Sequence, residues 1–326
     1  MIDFSKYCIY CLILPFIIVT INLVTDYREF INMNPYNSMI ERLVIDLDKN
    51  HLVYNVNMPE RKIVKKRIEK SIKGINNIAI GSSNVMLIGK ENGFNYLNFG
   101  LPGAVIEDIE QINELLNNNK IRIDTLILGI DFFIFNKHHS DKRHYQFSDK
   151  FSKHVIKSFF SIRYLYDNLK INKYEIWDGD TTKTVRYKDG SMVWGDEYIN
   201  RRGGEKKIIL DAQIVERFSL YKFNEIDVDY SIRFEKIVNQ LTIISNHTIL
   251  LFHPFHPFIF DELQRKFSTI LSVENEINNS FKDNKKITII GSFNPSLCNL
   301  EYSDYYDSIH LNKSGIKKYL INYKSF

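Results

Sequence analysis

The sequence predicts an α/β protein: three layers, with a mainly parallel five-stranded sheet between helices, preceded by an N-terminal transmembrane helix. Three observations lead there. Strand-like apolar runs alternate with helical patterns over most of the chain, which implies parallel strands covered on both faces. The alternation halts once, between about residues 136 and 228, as an insertion would make it. The first residues contain one long uncharged apolar run.

Composition sets the bounds. The 326 residues, 44% hydrophobic and 25% charged, are enough for a sizeable core and argue against large-scale disorder. The net charge of +4, from 43 basic and 39 acidic residues without a long basic block, argues against a nucleic-acid partner.

Taken in order, residues 1–28 read as a membrane anchor. No charge occurs from Tyr7 to Thr25, and "CIYCLILPFIIVTINLV" meets the ~17 to 25 residues needed to span a bilayer. A cleaved signal would have a shorter apolar core and a small-residue cleavage site, and a buried helix would have a polar face. Lys6 on one side and Arg28 and Arg42 on the other leave the orientation open. Cys8 and Cys11 fall inside the anchor and Cys298 has no evident mate, so no disulfide framework is implied.

Residues 29–75 read as a juxtamembrane connector with the turn "NMNPYN", followed by a basic helix "PERKIVKKRIEKSIKG" between Pro59 and Gly74. Residues 76–326 form the main domain. Its strands are expected at "NNIAIG" (76–81), "FNYLNFG" (94–100), "DTLILGI" (124–130), "HTILLFHP" (247–254) and "KKITIIGSF" (285–293). Helices are expected over "AVIEDIEQINELLNNN" and "FIFDELQRKFSTILSVENEINNSF". Within the insertion, a helical stretch at 148–170 precedes two Asp-Gly pairs in "YEIWDGDTTKTVRYKDGSMVWGDEY", which predict hairpins.

Ligands of open parallel sheets bind at the carboxyl ends of the strands. Those positions hold Gly81-Ser82-Ser83-Asn84, then "NFGLPG" with Asn98, Gly100 and Gly103, then Asp131, then "HPFHP" with His253 and His256. Near the C-terminus, "YYDSIHLNKSG" places Asp307 two residues before His310. A serine hydroxyl needs a base within hydrogen-bond reach and a third group to orient that base. Asp-x-x-His on a turn can supply both.

The ordered set of blocks resembles the SGNH hydrolase superfamily, also called the GDSL esterase/lipase group, over about residues 76 to 320 without the insertion. With the anchor, it is similar to membrane-anchored envelope proteins of that superfamily that move or remove acyl groups on cell-surface polymers. Among them are D-alanyl transfer proteins, which carry Gly-Ser-Ser in place of Gly-Asp-Ser. The resemblance implies that Ser83 is the nucleophile, His310 its base and Asp307 the orienting carboxylate. The oxyanion hole would comprise the backbone N–H groups of Ser83 and Gly103. No cofactor and no metal are implied. The implied partners are an acyl donor, a glycan or polymer acceptor, and a membrane acyl-transfer protein, with the domain outside the cytoplasm.

One block departs from the family. Where an asparagine should donate to the oxyanion stands Asp131, and an ionised carboxylate cannot donate. Three readings stay open: Asp131 is protonated by burial, it points elsewhere, or Asn84 supplies the donor. Asn84, His253 and His256 are candidate substrate contacts, the two histidines being alternatively part of a proline-stiffened loop. His138, His139, His144 and Asp141 match no familiar metal spacing. Trp177, Trp194, Arg201 and Arg202 of the insertion line a sugar or anionic groove, or pack a hairpin.

The expected activity is therefore O-acyl transfer or hydrolysis on an envelope glycan. Its rivals are a catalytically silent glycan-binding or assembly factor, and a flavodoxin-like domain in which Ser83 and His310 lie far apart.

Overall fold

A computed structural model describes residues 4–26, 28, 29, 38–71, 77–139, 143–147 and 153–321. The expected turn at 32–37, Gly74 and Asp141 lie outside these residues.

The chain opens with α1 (Phe4–Val24), whose side chains are described from Ile13 onward. Among the described residues no helix is long and apolar enough to cross a membrane. The expectation of a spanning anchor is thus unsupported, and its part before Ile13 falls on side chains outside the described set. On the visible part, Ile13, Leu14, Phe16 and Ile17 are exposed. Asn22 is buried and donates to the carbonyls of Phe159 (2.8 Å) and Ser161 (3.3 Å).

The described part of the connector carries regular structure. It contains α2 (Met39–Leu47), capped by the Ser38 hydroxyl accepting from Glu41 N–H, and the strand β1 (Leu52–Tyr54). The basic helix is α3 (Glu60–Ser71).

Next come β2 (Asn77–Ile80), the two-residue β3 (Leu97–Asn98), α4 (Ile106–Asn118) and β4 (Ile123–Ile130). The insertion follows with α5 (Lys153–Phe159), α6 (Ile162–Leu169), β5 (Tyr174–Ile176), β6 (Val185–Arg186), β7 (Met192–Val193), α7 (Asp196–Arg202) and α8 (Glu205–Ser219). The main sheet resumes through α9 (Val228–Ile244) and β8 (Ser245–Phe252), and the chain ends with α10 (Pro257–Lys266), α11 (Thr269–Phe281), β9 (Ile287–Ile290) and α12 (Lys313–Ile321).

The result is a mixed α/β fold whose five-stranded sheet, in order β3-β2-β4-β8-β9, is parallel throughout. Its central strands are nearly continuous apolar runs because both faces are covered. Ile78, Ile80, Leu126, Leu128 and Leu250 pack with α4, α9, α10 and α11, while the alternating Ala79, Ile127, Ile249 and Leu251 pack with Ile316, Tyr319 and Leu320 of α12. All five carboxyl ends therefore reach one edge.

Two expectations change. The single helix expected over 258–281 is broken at Phe267 and Ser268 into α10 and α11. Of the two Asp-Gly pairs, only Asp189-Gly190 turns a hairpin, β6 to β7. After Asp178-Gly179 the chain does not return along β5. Instead β1 lies between them, giving a small antiparallel sheet of order β5-β1-β6-β7.

Candidate active site

The turn after β2 begins at Gly81, whose φ of +151° strains any residue with a side chain and whose packing is tight. A Cβ there would sit 3.1 Å from Val85 Cγ1 and 3.2 Å from Gly129 Cα. Ser82 is buried, and its hydroxyl accepts from the Asn84 N–H at 3.2 Å, capping the 3₁₀ turn Ser83–Val85. Ser82 is thereby consumed by the turn. Ser83 is left half-buried, with Oγ 2.7 Å from His310 Nε2. The reading in which these two residues lie far apart does not survive that distance.

Asp307 organises its own turn. Its Oδ1 accepts the backbone N–H groups of Ile309 (3.1 Å) and His310 (2.8 Å), which folds the imidazole back onto the same carboxylate. His310 Nδ1 lies 2.9 Å from Oδ1 and 2.8 Å from Oδ2. A carboxylate only accepts, so Nδ1 carries the proton and Nε2 faces Ser83 Oγ as an acceptor. Complete burial pushes the Asp307 carboxyl up, but His310 and the two backbone donors outweigh it and hold the group below its ordinary value.

The loop after β3 is tied to the serine turn, with the Leu101 N–H donating to the Gly81 carbonyl at 2.9 Å. Asn98 is a buried brace: its Nδ2 donates to the carbonyls of Val85 (2.6 Å) and Ile88 (2.8 Å), and its Oδ1 accepts from the Gly100 N–H at 2.7 Å. Gly103 takes the left-handed φ of +57°. From below, Arg61 of α3 reaches the carbonyls of Pro102 (3.3 Å) and Gly103 (3.4 Å) and pairs in bidentate fashion with Asp108, both side chains being buried. Among the described residues neither the Ser83 nor the Gly103 N–H donates to another protein group.

Asp131, at the end of β4, is buried and accepts from Asn84 Nδ2 at 2.6 Å. His253 is buried close by, and its Nε2 has no hydrogen-bond partner among the described residues. Burial pushes its imidazole down to about 4, with Asp131 acting against that shift and His310 adding to it. His256 has a structural role: its Nδ1 accepts from the Phe258 N–H at 3.1 Å and caps α10, between the edges of Tyr302 and Tyr305.

The insertion reaches this centre. The Trp194 ring lies 5.6 Å from that of His310, and Tyr306 stands parallel to His310 at 5.4 Å, its phenol pushed well above the ordinary value by burial. Tyr198 stacks on Trp194. Arg202 donates to Tyr198 Oη at 2.6 Å and Asp211 at 2.5 Å, with Nε 3.7 Å from Asp307 Oδ2. Asp211 in turn accepts from the Ser308 hydroxyl at 2.6 Å. Burial lowers the Arg202 pKa, but these partners more than reverse it. Trp177 packs on His51 and Tyr187 within the small sheet, and Arg201 lies over Tyr198.

Arg61, Tyr198, Tyr306 and Asp211 were not singled out by sequence. Tyr306 had one signal, its place beside Asp307. Arg61 was hidden in a run of surface-like basic residues. Among the described residues no group of three or more His, Cys, Asp and Glu side chains is arranged to hold a metal ion.

No family model matches the chain, and no curated protein matches it. It is distantly similar to a solved structure provisionally named as a platelet activating factor from Streptococcus pneumonia. The identity is 12%, the match covers 87% of this chain and 96% of that one, and the TM-score is 0.36. A likeness of that size says nothing about chemistry.

Proposed function

We propose that this protein is a serine-dependent O-acyl esterase or O-acyltransferase of the SGNH type, acting on a cell-envelope polysaccharide or related polymer. The observation that carries this reading is the continuous relay Ser83 Oγ–His310 Nε2, His310 Nδ1–Asp307. His310 takes the Ser83 proton as Oγ attacks the ester carbonyl carbon. The oxyanion is met by the Ser83 and Gly103 N–H groups. Collapse breaks the ester C–O bond, and the leaving oxygen takes the proton from His310. In the second half-reaction an acceptor hydroxyl or water gives its proton to His310 and attacks the acyl-Ser83 carbonyl, releasing Oγ, which recovers the proton.

The half-buried aromatic wall of Trp194 and Tyr198 beside His310 supports a sugar acceptor, since aromatic faces suit the apolar faces of sugar rings. The exposed Ile13, Leu14, Phe16 and Ile17 of α1 support attachment to a membrane, where a partner protein would hand over the acyl group. The second reading, a silent glycan-binding factor, is favoured by Asp131 standing where a donor is needed. A fluorophosphonate probe separates the two. Covalent labelling of the full chain that disappears in Ser83→Ala supports the enzyme, whereas no adduct on the wild-type chain supports the silent factor.

A further inference from the structure

The acyl-Ser83 reading leaves the side-chain donor of the oxyanion hole unassigned, and Asp131 as an ionised carboxylate cannot be that donor. Its Oδ1 lies 2.6 Å from Asn84 Nδ2. This contact orients the amide: a carboxylate has no proton to give, so the nitrogen of Asn84, and not its oxygen, must face Asp131. A carboxamide nitrogen carries two N–H groups, and only one is used by Asp131. Asn84 directly follows Ser83 in the 3₁₀ turn and is half-buried. Asp131, only 4% exposed, is set back at the strand end.

We infer that Asn84 is the side-chain donor of the oxyanion hole, and that Asp131 is a positioning residue that aims the amide's second N–H at the developing oxyanion. The inference rests on the acyl-Ser83 reading. A donor that normally arises from the end of the third strand is here carried on the nucleophile turn, and the former donor position holds it from behind. A hydrogen bond to a charged acceptor is stronger than a neutral one, so the arrangement restrains the amide before substrate arrives.

The test measures acylation by an activated acetyl ester and labelling by a fluorophosphonate, on full-length wild type, Asn84→Ala, the near-isosteric Asn84→Asp, Asp131→Ala, Asp131→Asn and Asn84→Ala/Asp131→Ala. Loss of one such donor typically costs ~100 to 1,000-fold in rate, so both Asn84 variants should fall by about that factor with KM little changed. Asp131→Ala should be slowed less, and adding it to Asn84→Ala should cost no further factor beyond about two. That failure of additivity is not expected of a merely structural role. In the phosphonylated wild-type chain, one of the two Asn84 amide proton signals should move downfield in an NMR spectrum of asparagine-labelled protein. An Asn84→Ala rate equal to wild type, or a sharply raised rate in Asp131→Asn, overturns the inference and leaves the acyl-enzyme standing. Failure of the wild type to label at Ser83 overturns both. Melting curves identify any variant that does not fold, and Asn84→Asp then decides in place of Asn84→Ala.

Discussion

The carboxyl edge of the five-stranded sheet and the small sheet of the insertion border the same imidazole, but they are built differently. The main sheet rests on strands of up to eight residues whose two faces are buried in separate apolar clusters. The small sheet has strands of two or three residues, one apolar patch of Val53, Val185 and Tyr187 with a few neighbours, and a second contact through Leu52, Tyr54 and Tyr174 with the apolar residues of α2. Polar contacts complete it: Arg186 pairs with Glu60 of α3 at 2.7 Å, and Arg67 of α3 donates to the Lys188 carbonyl at 2.8 Å. Apolar burial on both faces fixes the backbone that aims Ser83. Specific long-range polar pairs fix the aromatic wall that meets whatever approaches it. The same helix, α3, supports both regions, through Arg61 on one side and Glu60 and Arg67 on the other.

If the main-sheet edge carries the chemistry, the largest effect should come from Asp307→Asn. The imidazole would lose the partner that selects its tautomer, and kcat should fall by roughly 10⁴-fold, read as the acylation rate with an activated ester. A fall of less than about tenfold would break the assignment. Arg61→Ala should come next, because it leaves the buried Asp108 carboxylate unpaired beneath the Gly103 loop. A loss of roughly 3 to 5 kcal/mol is expected in chemical denaturation, and Arg61→Ala/Asp108→Leu should recover part of it.

His253 tests the burial of that edge through pH. Its ordinary value is 6.5 and its folded value is about 4. Between the two, the unfolded chain holds a proton that the folded chain does not, so stability falls as pH drops from about 6.5 towards 4 and is unaffected by this group above that window. The full loss is roughly 3 kcal/mol. In His253→Leu, the fall between those pH values should be shallower by about that amount, and an unchanged slope would show that the imidazole is not held neutral. Asp307 adds a loss of the same sign at lower pH, where its depressed carboxyl protonates.

The smallest effect belongs to the insertion. Trp194→Ala should raise KM for an acetylated polysaccharide by about tenfold while changing acylation by a small ester by less than about threefold, because a stacking contact is worth on the order of 1 kcal/mol. Equal losses on both substrates would mean that Trp194 supports His310 and not the acceptor, and the contrast between the two regions would collapse.

Much of the main sheet was legible because strands buried on both faces must be apolar throughout, as in "TLILGI" and "TILLF", and because Gly81 and the turn Asp307-x-x-His310 are local devices with local signatures. The interruption at Phe267 and Ser268 was not legible, since the apolar spacing continues across it. The order of the small sheet was not legible either: β1, among residues that read as a connector, pairs on both sides with strands more than a hundred residues away.

By itself the sequence determined the alternating α/β pattern, the order of the motif blocks and the residue types at the strand ends, because these follow from short-range periodicity and turn chemistry. Only the tertiary structure decided that Ser83 meets His310, that Asp131 holds Asn84, that His256 caps a helix, and that Trp194 and Arg202 reach the relay while Trp177 does not. Each of these depends on the direction of a side chain across a long sequence separation, and that direction is set by packing, which no local pattern encodes.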